Sequence, residues 1–256
     1  MIATTTSSGH PTHDPTLLLL TGWCDDRAQF DPLLAEAGRH RHNISMDWRG
    51  HGGSGPAEGD FGTDDLVADA LGVIEQMGLE RVVPVAVSHA GWVAIELRRR
   101  LGERVPALVL VDWMVLGAPP GFGDALTALQ DPAAWEGVRD QLFARWTEGV
   151  DHPDVLTSVR RMARHDHGMW ARAGREIGAS FAAYGAPASV LAELGCPVLH
   201  LYAQPGDPEY LAAQRGFADD QAWFEVLRLD ARSHFPMLEV PRDMAATVEE
   251  FVQRRT

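Results

Sequence analysis

Three residue types that together do acid–base or acyl-transfer chemistry, a serine, a histidine and an aspartate, each stand just after a short apolar run in this chain. Ser88 follows Val82–Val87 within Ala86-Val87-Ser88-His89-Ala90-Gly91. The small Ala86 and Ala90 suit a nucleophile elbow, the sharp strand-to-helix turn in which backbone and side chains crowd. The alanines replace that motif's usual glycines, so a serine in an ordinary loop is the competing reading. His234 lies in Ser233-His234-Phe235-Pro236, after the run Phe224–Leu229. The acid has two candidates, because Asp112 closes Ala107–Val111 and Asp207 follows Val198–Ala203, and spacing does not choose between them. The segment Thr21-Gly22-Trp23-Cys24 follows another apolar run. There the Trp23 amide is placed to join the His89 amide in an oxyanion hole, unless Gly22 only turns the chain and Trp23 only fills the core. The glycine-rich Asp47-Trp48-Arg49-Gly50-His51-Gly52-Gly53-Ser54-Gly55 lacks both the P-loop lysine and the dinucleotide GxGxxG spacing, so it reads as a structural turn.

The elements that must position these residues are legible as alternating short apolar runs and longer amphipathic stretches, the pattern of βαβ units around a mostly parallel sheet. Strands are predicted at Leu17–Thr21, His42–Met46, Val82–Val87, Ala107–Asp112, Val198–Ala203 and Phe224–Leu229, and helices at Leu66–Met77 and Trp92–Leu101. Residues 1–15 read as a flexible N-terminal arm. Residues 16–112 and 197–256 read as an α/β core with helices flanking the sheet, and 113–196 as a helical cap insertion.

The 256 residues are enough for one large domain. With 45% hydrophobic and 23% charged residues, the composition is that of a globular protein. A formal charge of −14 disfavours nucleic acid and anionic membranes as partners and leaves a small molecule. Leu17–Leu20 is too short to span a bilayer. The two cysteines, Cys24 and Cys196, offer no disulfide framework or zinc site and fit a reducing, cytoplasmic setting.

The order Ser, Asp, His, each after a strand, matches the α/β-hydrolase fold. A narrower resemblance rests on Gly22-Trp23-Cys24, Asp47-Trp48-Arg49-Gly50-His51-Gly52, Ser88-His89-Ala90-Gly91-Trp92, Val111-Asp112-Trp113, Gln204-Pro205-Gly206-Asp207-Pro208-Glu209-Tyr210 and Ser233-His234-Phe235-Pro236. Over nearly its whole length the chain resembles the cofactor-independent 3-hydroxy-4(1H)-quinolone 2,4-dioxygenases, which include the 3-hydroxy-4-oxoquinaldine and 2-alkyl-3-hydroxy-4-quinolone enzymes. The Trp-Cys pair, the Ser-His-x-Gly-Trp elbow and the Asp-Trp pair carry this better than the widespread Arg-Gly-His-Gly run.

The resemblance implies that Asp112 is the acid and Asp207 a structural residue. It implies ring opening of a 2-alkyl-3-hydroxy-4(1H)-quinolone, 2-heptyl or 2-methyl, by molecular oxygen, giving carbon monoxide and an N-acylanthranilate with no metal or organic cofactor. His234, oriented by Asp112, is expected to deprotonate the substrate. Ser88 is expected to bind it, and the amides of Trp23 and His89 to hold oxygen. Trp146 is expected over the flat ring, or else as an anchor of the cap to the core, with Trp23, Trp113, Met114, Met169 and Trp170 lining an apolar wall. Two departures stand out: Val87 stands where a characterised relative carries a histidine before the serine, and Asp25 replaces a histidine following the Trp-Cys pair. A serine hydrolase using Ser88, Asp112 and His234 is the alternative reading, a non-catalytic ligand-binding protein of the same fold a further one. A monomer or homodimer is expected.

Overall fold

The structure is a computed structural model describing residues 1–7, 15–37 and 41–256. Among these residues seven strands form one sheet in the order β1-β3-β2-β4-β5-β6-β7: β1 Thr4–Ser7, β2 Thr16–Leu20, β3 Asn43–Met46, β4 Val82–Val87, β5 Leu108–Val111, β6 Val198–Tyr202 and β7 Phe224–Arg228. All neighbours are parallel except β1, which runs antiparallel to β3. Each of the six predicted strands is present within about a residue of its expected bounds. The inner strands are continuous apolar runs because both faces of a parallel sheet are covered by helices, and β2, β4 and β5 are buried almost without a break. Pro84 is tolerated inside β4 because the ladder to β5 begins only at Val85.

The expected N-terminal arm is corrected in part. Thr4–Ser7 pairs with β3 in register from Thr4 opposite Met46 to Ser7 opposite Asn43. Three threonines have the β-branched side chains that favour a strand, and a polar edge strand of this length shows no apolar alternation to betray it. Residues 8–14 of the arm lie outside the described residues.

Among the described residues, α1 Asp31–Ala37, α2 Thr63–Gln76 and α3 Ala90–Leu101 lie in the first half, and α10 Pro236–Glu239 and α11 Pro241–Arg255 follow β7 at the end of the chain. The interval between β5 and β6 carries α4 Phe122–Ala128, α5 Trp135–Trp146, α6 Pro153–Met162, α7 His167–Tyr184 and α8 Pro187–Ala192, and α9 Pro208–Asp220 precedes β7. Here α4 and α5 both pack on α7. Helix α6 turns an apolar face inward, burying Val155 and Met162. No helix among the described residues is long and apolar enough to cross a membrane.

Candidate active site

Parallel strands deliver their C-terminal ends to one edge of the sheet, and the loops leaving those ends build the site. Three non-glycine residues there have positive φ: Cys24 at 65° after β2, Ser88 at 53° after β4 and Asp112 at 43° after β5. A side chain in this left-handed region is strained and persists only where its surroundings impose it. At Ser88 they do, since the Ser88 amide donates to the Val111 carbonyl at 2.9 Å and α3 begins two residues later. This is the geometry of a nucleophile elbow. Gly91 has its own reason: a Cβ there would run into the indole of Trp113, which packs edge-on against Trp92 with centroids 5.1 Å apart.

Asp112 is held by the neighbouring strand. Its amide donates to Leu201 O at 2.9 Å, and its Oδ1 accepts from the amides of Ala203 at 2.6 Å and Gln204 at 3.3 Å. Its Oδ2 has no hydrogen-bond partner among the described residues and lies 3.6 Å from Nδ1 of His234. Burial pushes Asp112 up to about 7 against the pull of those two amides, and burial draws His234 down to about 4. His234 is therefore neutral near pH 7, with a lone pair available to accept a proton.

The histidine loop is pinned on both sides. The His234 amide donates to Trp146 O at 3.0 Å, and the Trp146 indole stacks on the imidazole at 4.9 Å and 16°. Glu239 accepts from the Ser233 amide at 2.7 Å and from the Ser233 hydroxyl, and the Gln204 side-chain amide donates to Arg232 O at 2.6 Å and Trp146 O at 3.3 Å. Asp207, the other acid considered, accepts from the Tyr210 amide at 2.7 Å and caps α9. It is not brought to His234, whereas Asp112 is.

Gly22 brings the loop after β2 against the elbow: a Cβ on Gly22 would stand 3.6 Å from Ser88 Cβ. The amides of Trp23 and His89 donate to no acceptor among the described residues. The glycine-rich loop supports this arrangement from below, through two residues that spacing did not single out. His51 Nε2 accepts from the Cys24 amide at 3.1 Å while Nδ1 donates to Arg49 O at 2.9 Å, which fixes one neutral tautomer that burial, holding it down to about 4, also favours. Asp47 accepts from the amides of Arg27 and Gly53, both at 2.7 Å, and from the Arg27 guanidinium. Gly52, at φ 48°, leaves room for that carboxylate.

These groups face an apolar cavity of about 770 Å³ roofed by residues of the β5–β6 interval. Ser88, His89, Asp112 and His234 border it, as do Trp23, Trp113, Met114, Trp146 and Trp170. Met169 does not, contrary to expectation. Successive helical residues point about 100° apart, so with Trp170 turned to the cavity Met169 is buried against the glycine-rich loop instead, its Cε 3.2 Å from where a Gly50 Cβ would stand. Behind the elbow, His89 Nε2 meets Thr63 Oγ1 at 3.0 Å, and Thr63 donates to Glu176 through its hydroxyl at 3.2 Å and its amide at 2.7 Å. Residues 26 and 113 positions apart carry no local signal of such a chain. Val87 and Asp25 both border the cavity. Among the described residues no group of three or more His, Cys, Asp or Glu is arranged to hold a metal ion.

The model of the Alpha/beta hydrolase family matches residues 17–247. The chain is 36% identical to the 2-heptyl-3-hydroxy-4(1H)-quinolone dioxygenase of Mycobacteroides abscessus, over 91% of this chain and 88% of the relative. It is 37% identical to the 1H-3-hydroxy-4-oxoquinoline 2,4-dioxygenase of Pseudomonas putida, over 98% and 96%. A solved structure of an enzyme that recognises and cleaves the ring of the Pseudomonas quinolone signal, in complex with its product, superposes with a TM-score of 0.90. It is 35% identical, with 97% of this chain and 95% of that one covered.

Proposed function

Because this chain belongs to the α/β-hydrolase family and, within it, to the quinolone dioxygenases, we propose that it opens the nitrogen ring of a 2-alkyl-3-hydroxy-4(1H)-quinolone with molecular oxygen. The observation that carries this reading is a neutral, half-buried His234 beside the unshared Oδ2 of Asp112, on the wall of an apolar cavity wide enough for a bicyclic ring and an alkyl chain.

His234 takes the proton of the substrate's 3-hydroxyl, and Asp112 stabilises the imidazolium that forms. The resulting anion is electron-rich and gives an electron to oxygen, so the substrate itself supplies the reducing power and the reaction runs without a metal or organic cofactor. The two radicals join at C2, and the peroxide so formed attacks C4. The C2–C3, C3–C4 and O–O bonds then break, and C3 departs with its oxygen as carbon monoxide. One oxygen atom ends on C2 and the other on C4, leaving an N-acylanthranilate, so a 2-heptyl substrate gives the N-octanoyl product. The free amides of Trp23 and His89 suit the negative charge that develops on oxygen. Ser88, whose hydroxyl bonds to none of the described residues, holds the substrate rather than attacking it, and Trp146, Trp113, Met114 and Trp170 enclose the ring and chain. The unpaired Cys24 and Cys196 fit a cytoplasmic enzyme, taken here as a monomer or homodimer.

The test is to mix metal-free protein with 2-heptyl-3-hydroxy-4-quinolone under anaerobic conditions and then admit oxygen while following absorbance and carbon monoxide. Oxygen-dependent loss of the quinolone with one carbon monoxide per turnover is expected. No turnover with the heptyl, methyl or unsubstituted ring would reject the proposal.

A further inference from the structure

One part of the cavity wall carries buried polar side chains that the chemistry above leaves unused. The 3₁₀ turn Arg27–Phe30 follows the Trp23 loop and packs against α10, the short helix that starts two residues after His234. It places Gln29 on the cavity with 0% exposure, and neither Oε1 nor Nε2 of its amide has a hydrogen-bond partner among the described residues. Asp25 borders the same cavity, also buried. Its two oxygens accept from the Ser158 hydroxyl on α6 at 3.0 and 3.1 Å, and Oδ1 accepts from the Asp26 amide at 2.8 Å. Ser158 is buried as well, so the carboxylate is held in place from the α6 side.

A buried side-chain amide with both ends unpaired destabilises a fold unless something pairs with it, and a leucine would fill the same space without that cost. Elsewhere the wall carries apolar side chains such as Leu126, Leu142, Met162 and Phe181, and its charged Arg145, Glu148, Arg228 and Arg232 are exposed to solvent. The mechanism above uses neither Asp25 nor Gln29.

We propose that Asp25 and Gln29 form a second polar subsite, which selects a 3-hydroxy-4-quinolone bearing a further hydroxyl on its side chain or benzo ring. The match is one of donors and acceptors: a hydroxyl donates to a carboxylate or amide oxygen and accepts from an amide N–H, which is what this pair presents. It is separate from the 3-hydroxyl that His234 deprotonates. The inference rests on the quinolone reading and deepens it by naming the substrate subclass.

The experiment compares 2-heptyl-3-hydroxy-4-quinolone with analogues carrying one added hydroxyl, placed along the heptyl chain or on the benzo ring, for the wild-type protein, Gln29→Leu and Gln29→Met. The wild type is expected to favour at least one hydroxylated analogue by about three- to tenfold in kcat/KM, the span of one net hydrogen bond. The gain falls in KM, and the preferred isomer locates the subsite on the substrate. Both variants are expected to lose that preference, to bind the plain heptyl substrate more tightly, and to melt no lower than the wild type. Equal kcat/KM for every analogue, or a preference that survives in both variants, overturns the subsite. Should the wild type consume none of the quinolones, the dioxygenase reading fails. The subsite is then still judged by the ratio of Kd values from quenching of tryptophan fluorescence, by the same criterion.

Discussion

At the scale of single residues, the roles proposed for His234 and Ser88 part company under mutation. A general base contributes about 10²–10⁴ to the rate, so His234→Ala is expected to lower kcat by at least about a hundredfold. Ser88→Ala, which removes a binding hydroxyl and no nucleophile, should keep a substantial fraction of kcat and act mainly on KM. Equal and near-total loss in both, read by single-turnover kinetics, would point to an acyl-serine hydrolase instead. The dyad also sets a pH dependence. His234 is neutral above about 4, but Asp112 becomes the carboxylate that supports the imidazolium only as pH rises through about 7. The acid limb of kcat/KM is therefore expected near 7 in the wild type, belonging to the pair as a whole. In Asp112→Asn, whose side chain cannot ionise, it should retreat towards 4 on a lower plateau.

At the scale of elements, the junction of α3 with the cavity wall is set by one missing methyl group. Gly91→Ala puts a Cβ into the Trp113 ring, and overpacking of this kind costs about 1–3 kcal/mol. A lower melting temperature and a raised KM are expected together, because Trp113 also borders the cavity. An unchanged KM would mean that Trp113 does not touch substrate. This is also the scale at which the sequence spoke most clearly. The six predicted strands are apolar runs of the right length between turn residues, a signal each strand carries alone. Ser88 and His234 stood out because each follows such a run, whereas Asp112 and Asp207 both do, and only the family resemblance favoured Asp112. What was not legible depends on pairing at a distance: the polar strand Thr4–Ser7 is made a strand by β3, Met169 is turned away by the phase of its helix, and the Glu176–Thr63–His89 chain joins three elements. His51 stood in plain view within a glycine-rich loop, yet its task of holding the Cys24 amide is set by a loop 27 residues earlier.

At the scale of the whole molecule, burial of ionisable groups gives stability its pH dependence. Burial holds His51, His200 and His234 near 4 and His89 near 3, and holds Asp25 and Asp112 near 7. Between about pH 4 and the ordinary histidine value near 6.5, the unfolded chain binds protons on four histidines that the folded chain leaves bare, while the folded chain keeps protons on two aspartates that the unfolded chain has released. The histidines outnumber the acids, so stability should rise with pH across this window. Above it only the acids still titrate, so stability should fall slightly towards pH 7 and then level. Melting curves from pH 4 to 8 check this, and a flat profile would show that these side chains are hydrated. The three left-handed residues, Cys24, Ser88 and Asp112, bear on the protein's history as well as its chemistry. Each makes the fold less comfortable than glycine or asparagine would, and each excludes a β-branched replacement. In a lineage that still needed the site, drift would be barred from relieving that discomfort. A copy released from selection would be free to relax all three, and those codons would be among the first to record the loss.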